Sequence, residues 1–166
     1  SLSGDAGDEL FGGYNRYIWL RKLCRYPNLL RRFFGTCLKT MSPTQWDYIY
    51  KKFQILLPSS LKIRMPGDKA HKLADALFMK SSATTYQCLI SSWSNPDTLV
   101  LNGREKNNFT TSWHALTDFD TLENKMMVLD MLNYLSNDIL CKVDRAAMGN
   151  SLETRVPFLD HRIVEF

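Results

Sequence analysis

The twelve residues Ser3-Gly4-Asp5-Ala6-Gly7-Asp8-Glu9-Leu10-Phe11-Gly12-Gly13-Tyr14 set three carboxylates among four glycines. Glycine lets a backbone approach a ligand closely and adopt φ > 0 at little cost. Carboxylates beside such a turn are the hard oxygen ligands that Mg²⁺ shares with substrate phosphates. A helix opening at Asp8 or Glu9 would turn free N–H groups toward an anion. These types and spacings describe a corner for a metal-bound nucleotide. The plainer reading is a glycine-rich turn whose acidic residues complement a helix dipole.

A second block stands near the far end. It runs Asn137-Asp138-Ile139-Leu140-Cys141-Lys142-Val143-Asp144-Arg145-Ala146-Ala147-Met148, then Ser151-Leu152-Glu153-Thr154-Arg155-Val156-Pro157-Phe158-Leu159-Asp160. Asp138, Lys142 and Arg145 fall at i, i+4 and i+7, which a regular helix places on one face. An Asp–Lys pair at that spacing is by itself a modest helix stabiliser, about 0.2–0.5 kcal/mol. Taken together, the two blocks resemble the asparagine synthetase family, glutamine-dependent amidotransferases that make an amide through an acyl-adenylate. That family carries Ser-Gly-Asp/Glu-Gly-x-Asp-Glu-x-Phe-Gly-Gly-Tyr, then Lys-Val-Asp-Arg-x-x-Met and Leu-Glu-x-Arg-x-Pro-Phe-Leu-Asp. Both patterns occur here in that order, and Ala6 departs from the first, where the family more often has glycine.

The resemblance implies ATP and Mg²⁺ as cofactors. It implies Asp8 as the metal ligand, Ser3 and Gly4 at the nucleotide through their backbone, and Asp5 beside the acyl-adenylate. Asp138 and Lys142 would approach the substrate and phosphate side of the cleft. Glu9, an early helical residue, reads as a cap rather than a ligand. Asp144, Arg145, Glu153 and Arg155 read as a structural network. The implied partners are small molecules: ATP, aspartate or another carboxylate, and ammonia released from glutamine by a glutaminase domain of the parent chain. The acid would be aspartate, passing through β-aspartyl-AMP. A sugar carboxylate of surface polysaccharide and a degenerate, non-catalytic homologue are the alternatives.

The implied fold is an α/β pyrophosphatase-loop (adenine nucleotide alpha hydrolase-like) synthetase domain. Residues 1–166 would supply its helical part, so this segment is expected to be mainly α. The sequence holds no Ser-Gly-Gly-x-Asp-Ser pyrophosphate loop, no N-terminal nucleophilic cysteine and no later Arg-x-Lys-x-Gly-Phe-like segment. The chain therefore reads as a partial domain, cut at both ends, and is expected to be inactive alone. Ser1-Leu2-Ser3 reads as the tail of a strand.

Composition is compatible with a packed, cytoplasmic protein: 45% hydrophobic, 23% charged, formal net charge +4. Basic residues are dispersed, so neither nucleic acid nor a membrane is expected as a partner. Cys24, Cys37, Cys88 and Cys141 lack paired spacing and read as reduced thiols. His71, His114 and His161 are isolated and receive no role.

These blocks need elements to position them. Leu10, Phe11, Tyr14, Tyr17, Ile18 and Arg21 recur at helical spacing, predicting one helix with Gly12-Gly13 inside it. Pro27 breaks the chain before a helix reaching Leu38. Ser42-Pro43-Thr44-Gln45 is a helix start, leading a helix whose Trp46, Tyr48, Ile49, Phe53 and Leu56 should be mostly core. Leu57 to Pro66 reads as a loop, Gly67-Asp68 as the start of a helix to about Lys80, and Thr84 to Trp93 as a shorter helix. Asn95 to Asp118 is polar and reads as a mobile surface excursion. Asp120-Thr121-Leu122-Glu123 opens a helix with Met126, Met127, Leu129, Leu132 and Leu135 inward. Phe158 and Leu159 should anchor in the core, and Asp160 should cap a final helix.

Overall fold

The computed structural model describes residues 1–54, 64–93, 98–101, 103 and 108–165, and side chains for all of these except 108–111. Ten α-helices appear among them: α1 Gly7–Phe11, α2 Asn15–Cys24, α3 Asn28–Lys39, α4 Pro43–Phe53, α5 Pro66–Phe78, α6 Ser82–Ile90, α7 Asn108–Ala115, α8 Leu122–Leu129, α9 Leu140–Met148 and α10 His161–Val164. A π-helix, Asp130–Ile139, joins α8 to α9, and a 3₁₀ turn, Pro157–Leu159, precedes α10. The described residues contain no strand, only an isolated parallel bridge between Leu2 and Arg155. The mainly helical expectation is met. The predicted strand tail at Ser1-Leu2-Ser3 is present as that bridge alone.

The chain forms two compact units: Ser1–Arg21 with Asn108–Phe166, and Lys22–Asn107. In the second unit α5 is the hub, packing against α3, α4 and α6. Its Ala74, Ala76 and Leu77 are buried, as are Ala83 and Tyr86 of α6. Small residues permit the close approach: a Cβ on Gly35 of α3 would already lie 3.3 Å from the Ala74 carbonyl. The Ser42 box forms as predicted, with Gln45 N–H donating to Ser42 Oγ at 3.3 Å and Ser42 N–H to Gln45 Oε1 at 2.8 Å. Ser81 and Thr84 build the same device ahead of α6. The expected core face of α4 is not buried, since Tyr48 and Phe53 are exposed. Leu56, and the expected loop from Leu57 as far as 63, lie outside the described residues.

In the first unit, α1 is short because Gly12 adopts φ +71° and closes it, its N–H donating to the Asp8 carbonyl. The helix predicted to run unbroken through Gly12-Gly13 is therefore two helices, and the glycines are its C-terminal cap. At the other end of α1, Ala6 is buried with φ +69°.

The stretch α8–π–α9 buries Met126, Leu129 and Leu135, as predicted, but Leu132 is 61% exposed. The wide i→i+5 turns of a π-helix shift the phase of the apolar stripe; Leu140 N–H, for instance, bonds the Leu135 carbonyl. Part of the predicted surface excursion is helical: α7 occupies Asn108–Ala115, and Trp113 is buried. Residues 95–97, 102 and 104–107 of that segment lie outside the described residues.

Candidate active site

The two sequence blocks meet in the first unit. Ser3 N–H donates to the Arg155 carbonyl at 2.9 Å, and Arg155 N–H to the Ser1 carbonyl at 3.0 Å. Pro157 removes helical options from the residue before it, and Val156 is extended at φ −113°, ψ 96°. That turn delivers Phe158 onto the acidic loop. Its ring packs edge-on against Phe11, centroids 5.7 Å apart, and would lie 3.4 Å from a Cβ on Gly7. Leu159, expected in the core, is exposed. Asp160 caps α10 as predicted, accepting from Arg162 N–H at 3.0 Å, and the Arg162 guanidinium holds its carboxyl below the usual carboxylate range.

Within the loop, the Ser3 hydroxyl donates to the half-buried Asp5 carboxylate. Among the described residues nothing lies within 4 Å of where a Cβ on Gly4 would point. Asp8 is exposed, and a Cβ on Gly13 would fall on its carboxyl. Gly13 N–H also donates to the Asp8 carbonyl at 2.9 Å. The glycine pair thus makes a shelf on which the Asp8 side chain rests.

Glu9 departs from the capping role. It is 1% exposed and accepts from Tyr14 Oη–H at 2.7 Å. The Arg16 guanidinium lies 3.8 Å from the Tyr14 ring centre and 5.1 Å from that of Tyr134. Arg16 then reaches Asp130, Nη2 to Oδ2 at 2.7 Å, and Tyr17 Oη–H donates to the same oxygen at 2.5 Å. Asp130 is also 1% exposed. Burial, with help from these carboxylates, raises the Tyr14 and Tyr17 phenols well above their ordinary value. Tyr14 and Glu9 are visible in the sequence motif. Asp130 is not, because the pairing spans more than a hundred residues.

Asp138 and Lys142 are both exposed, and among the described residues no ion pair joins them. Asp138 sits in the π-helix and Lys142 in α9, so the regular spacing assumed for them is interrupted. No hydrogen bond or ion pair among the described residues connects either to Asp5 or Asp8. The expected four-residue network is reduced to one exposed pair, Arg155 Nη2 to Glu153 Oε1 at 2.9 Å. Asp144 and Arg145 do not join it.

The asparagine synthase family model matches residues 1–166. The chain belongs to that family. It is 32% identical to asparagine synthetase [glutamine-hydrolyzing] 1 of Bacillus subtilis (strain 168) over 166 residues, covering 96% of this chain and 23% of that protein. A putative asparagine synthetase [glutamine-hydrolyzing] of Mycobacterium tuberculosis (strain ATCC 25618 / H37Rv) is 27% identical over 178 residues, 98% of this chain and 22% of the relative. Asparagine synthetase [glutamine-hydrolyzing] 3 of Bacillus subtilis (strain 168) is 36% identical over 93 residues, 54% of this chain and 15% of the relative. The chain thus spans less than a quarter of the length of these relatives. No solved structure matches. Within this family assignment, the described residues hold four free cysteines and no helix long and apolar enough to cross a membrane.

Proposed function

We propose that residues 1–166 are part of the synthetase domain of an ATP-dependent, glutamine-dependent amidotransferase that makes asparagine from aspartate through β-aspartyl-AMP. The observation that supports this best is the meeting of the two family blocks, with Leu2 bridged to Arg155 and Phe158 seated on the acidic loop.

The residues fit magnesium in one specific mode. Among the described residues no cluster of three or more His, Cys, Asp or Glu could cage a metal. One or two carboxylates with substrate phosphates are the usual magnesium set, and exposed Asp8 with half-buried Asp5 offers that donor chemistry. Magnesium, when bound there with ATP, neutralises the charge of the departing pyrophosphate. Asp8 would hold it. The Ser3 and Gly4 backbone would lie along the nucleotide, where the open space at Gly4 admits a ligand. Asp5, oriented by the Ser3 hydroxyl, would stand beside the reacting carboxyl. Asp138 and Lys142, both solvent-facing, are free to reach substrate. Ammonia would come from a glutaminase domain elsewhere in the parent protein.

The test is pyrophosphate release by the full-length protein across aspartate and uronates. Aspartate-dependent release supports the reading; release with a uronate alone moves the protein to sugar-carboxylate amidation, and none with any acid favours a non-catalytic homologue. Asp8→Asn should lower turnover about a hundredfold or more, as when a group stabilising developing charge is removed. The segment alone should release none.

A further inference from the structure

The residues that hold Asp8 in place carry an inference of their own. Asp8 is the first residue of a loop closed twice. Gly13 N–H donates to its carbonyl at 2.9 Å, and the residues that follow these two are joined in turn, Tyr14 Oη–H donating to Glu9 at 2.7 Å. At the first closure the Asp8 carboxyl occupies the space beside Gly13 that a side chain would need. Tyr14 is itself fixed from outside the loop. Its ring meets Tyr17 and Tyr134 edge-on, centroids 5.8 and 6.2 Å away, and lies under Arg16. Arg16 and Tyr17 both end on buried Asp130. Tyr134 and Asp130 belong to the π-helix that carries Asp138.

We propose that Glu9 and Tyr14 are positioning residues, a buried clasp that fixes the Asp8 carboxylate toward a magnesium-bound phosphate. This rests on the proposed role of Asp8. Glu9 contributes as a hydrogen-bond acceptor whose carboxyl faces Tyr14, so its charge is dispensable while its oxygen is not. A Gln amide oxygen accepts the same hydrogen bond.

The test is calorimetric binding of magnesium pyrophosphate, and separately of AMP, to the full-length protein and its Glu9→Gln, Glu9→Ala and Tyr14→Phe variants. AMP needs no metal, so it reports the Ser3–Gly4 side of the site and the integrity of the fold. Glu9→Gln should bind magnesium pyrophosphate within about threefold of wild type. Glu9→Ala and Tyr14→Phe should bind it about 10–100-fold more weakly, the usual loss when an orienting partner of a metal ligand is removed. All should bind AMP within about twofold of wild type.

Glu9→Gln as impaired as Glu9→Ala would overturn the proposal, because the charge would then act directly. Equal loss of AMP and magnesium pyrophosphate in Glu9→Ala and Tyr14→Phe would also overturn it, reducing the clasp to general fold support. If Tyr14→Phe does not fold, the Glu9→Gln and Glu9→Ala comparison decides. Wild-type protein that binds neither probe sinks the synthetase reading and the clasp with it. Wild-type binding unchanged in every variant sinks the clasp alone.

Discussion

Ala6 stands where the family more often has glycine, and its left-handed φ of +69° shows what that preference is for. An L-residue in this region costs roughly 1–2 kcal/mol. Glycine would relieve that strain, lose a buried methyl worth about 0.8 kcal/mol and pay about 0.5–1 kcal/mol of extra chain entropy. Ala6→Gly should therefore be close to neutral in a denaturant titration. Ala6→Val, with a β-branched side chain at φ > 0 in a buried site, should lose more than about 2 kcal/mol. Gly13 makes a contrasting case. Gly13→Ala pushes the Asp8 carboxyl off its shelf toward solvent, a displacement that costs the fold little because the carboxyl is exposed. The expected result is pyrophosphate release reduced at least tenfold with a melting temperature within a few degrees of wild type. Equal activity would show that the shelf does not set the Asp8 position. Both glycine motifs were legible in the sequence as special backbone. Which side chain each glycine accommodates was not, since that depends on where the turn closes.

Among the helices, the capping signals transferred well because they are local: Ser42 with Gln45 and Asp160 ahead of α10 need only a few consecutive residues. Tertiary effects were less legible. Leu132 follows the apolar period of a regular helix, yet the π-helical turns rotate it outward. The Asp138–Lys142–Arg145 face rests on the same assumption and is interrupted for the same reason. Arg31 of α3 gave no sequence signal at all. It is 3% exposed, its Nη2 donates to Thr85 Oγ1 and the Ala76 carbonyl, and its Nε has no partner among the described residues. Both acceptors have other bonds, Thr85 to the Ser81 carbonyl and the Ala76 carbonyl from Met79 N–H. Arg31→Met would strand neither and would remove a buried cation, so thermal denaturation should show it neutral to about 1 kcal/mol more stable. A loss of 3 kcal/mol or so would mean that the charge has a counter-ion. Gly67 is the opposite kind of position. A Cβ there would collide with the Pro43 carbonyl at the start of α4, and its N–H is held by Asp47 at 2.8 Å. Backbone cannot yield as a side-chain tip can, and Gly67→Ala should lose about 2 kcal/mol or more.

The chain as a whole buries a compact set of side chains in each unit while leaving many large apolar ones in water. Leu29 is 83% exposed, and Leu30, Phe33 and Phe34 of the same helix are exposed with it. Contiguous apolar surface of this kind promotes association. The isolated chain should bind a hydrophobic dye strongly and scatter light at micromolar concentration, and Leu29→Lys with Phe33→Lys should reduce both. A response to high pH is built into the first unit. Tyr14 and Tyr17 have raised phenol values in the folded state, so the stability they lend is intact below about pH 10, the ordinary phenol value. It is lost as pH rises through their folded values. Spectrophotometric titration should show a late-ionising component that Tyr17→Phe diminishes; all tyrosines ionising near pH 10 would show the buried network absent.

The bridge from Leu2 to Arg155 also has a temporal side. About 150 residues separate the two, and the whole second unit is threaded between them. At ribosomal rates of about 5–20 residues per second, the acidic turn emerges roughly 8–30 s before the bridge partner it must find. Lys22–Asn107 can collapse on its own nearby contacts during that wait, and closing so long a loop costs entropy that later pairing must repay. The acidic turn therefore gains its Arg155 partner only after the residues of the second unit have been made.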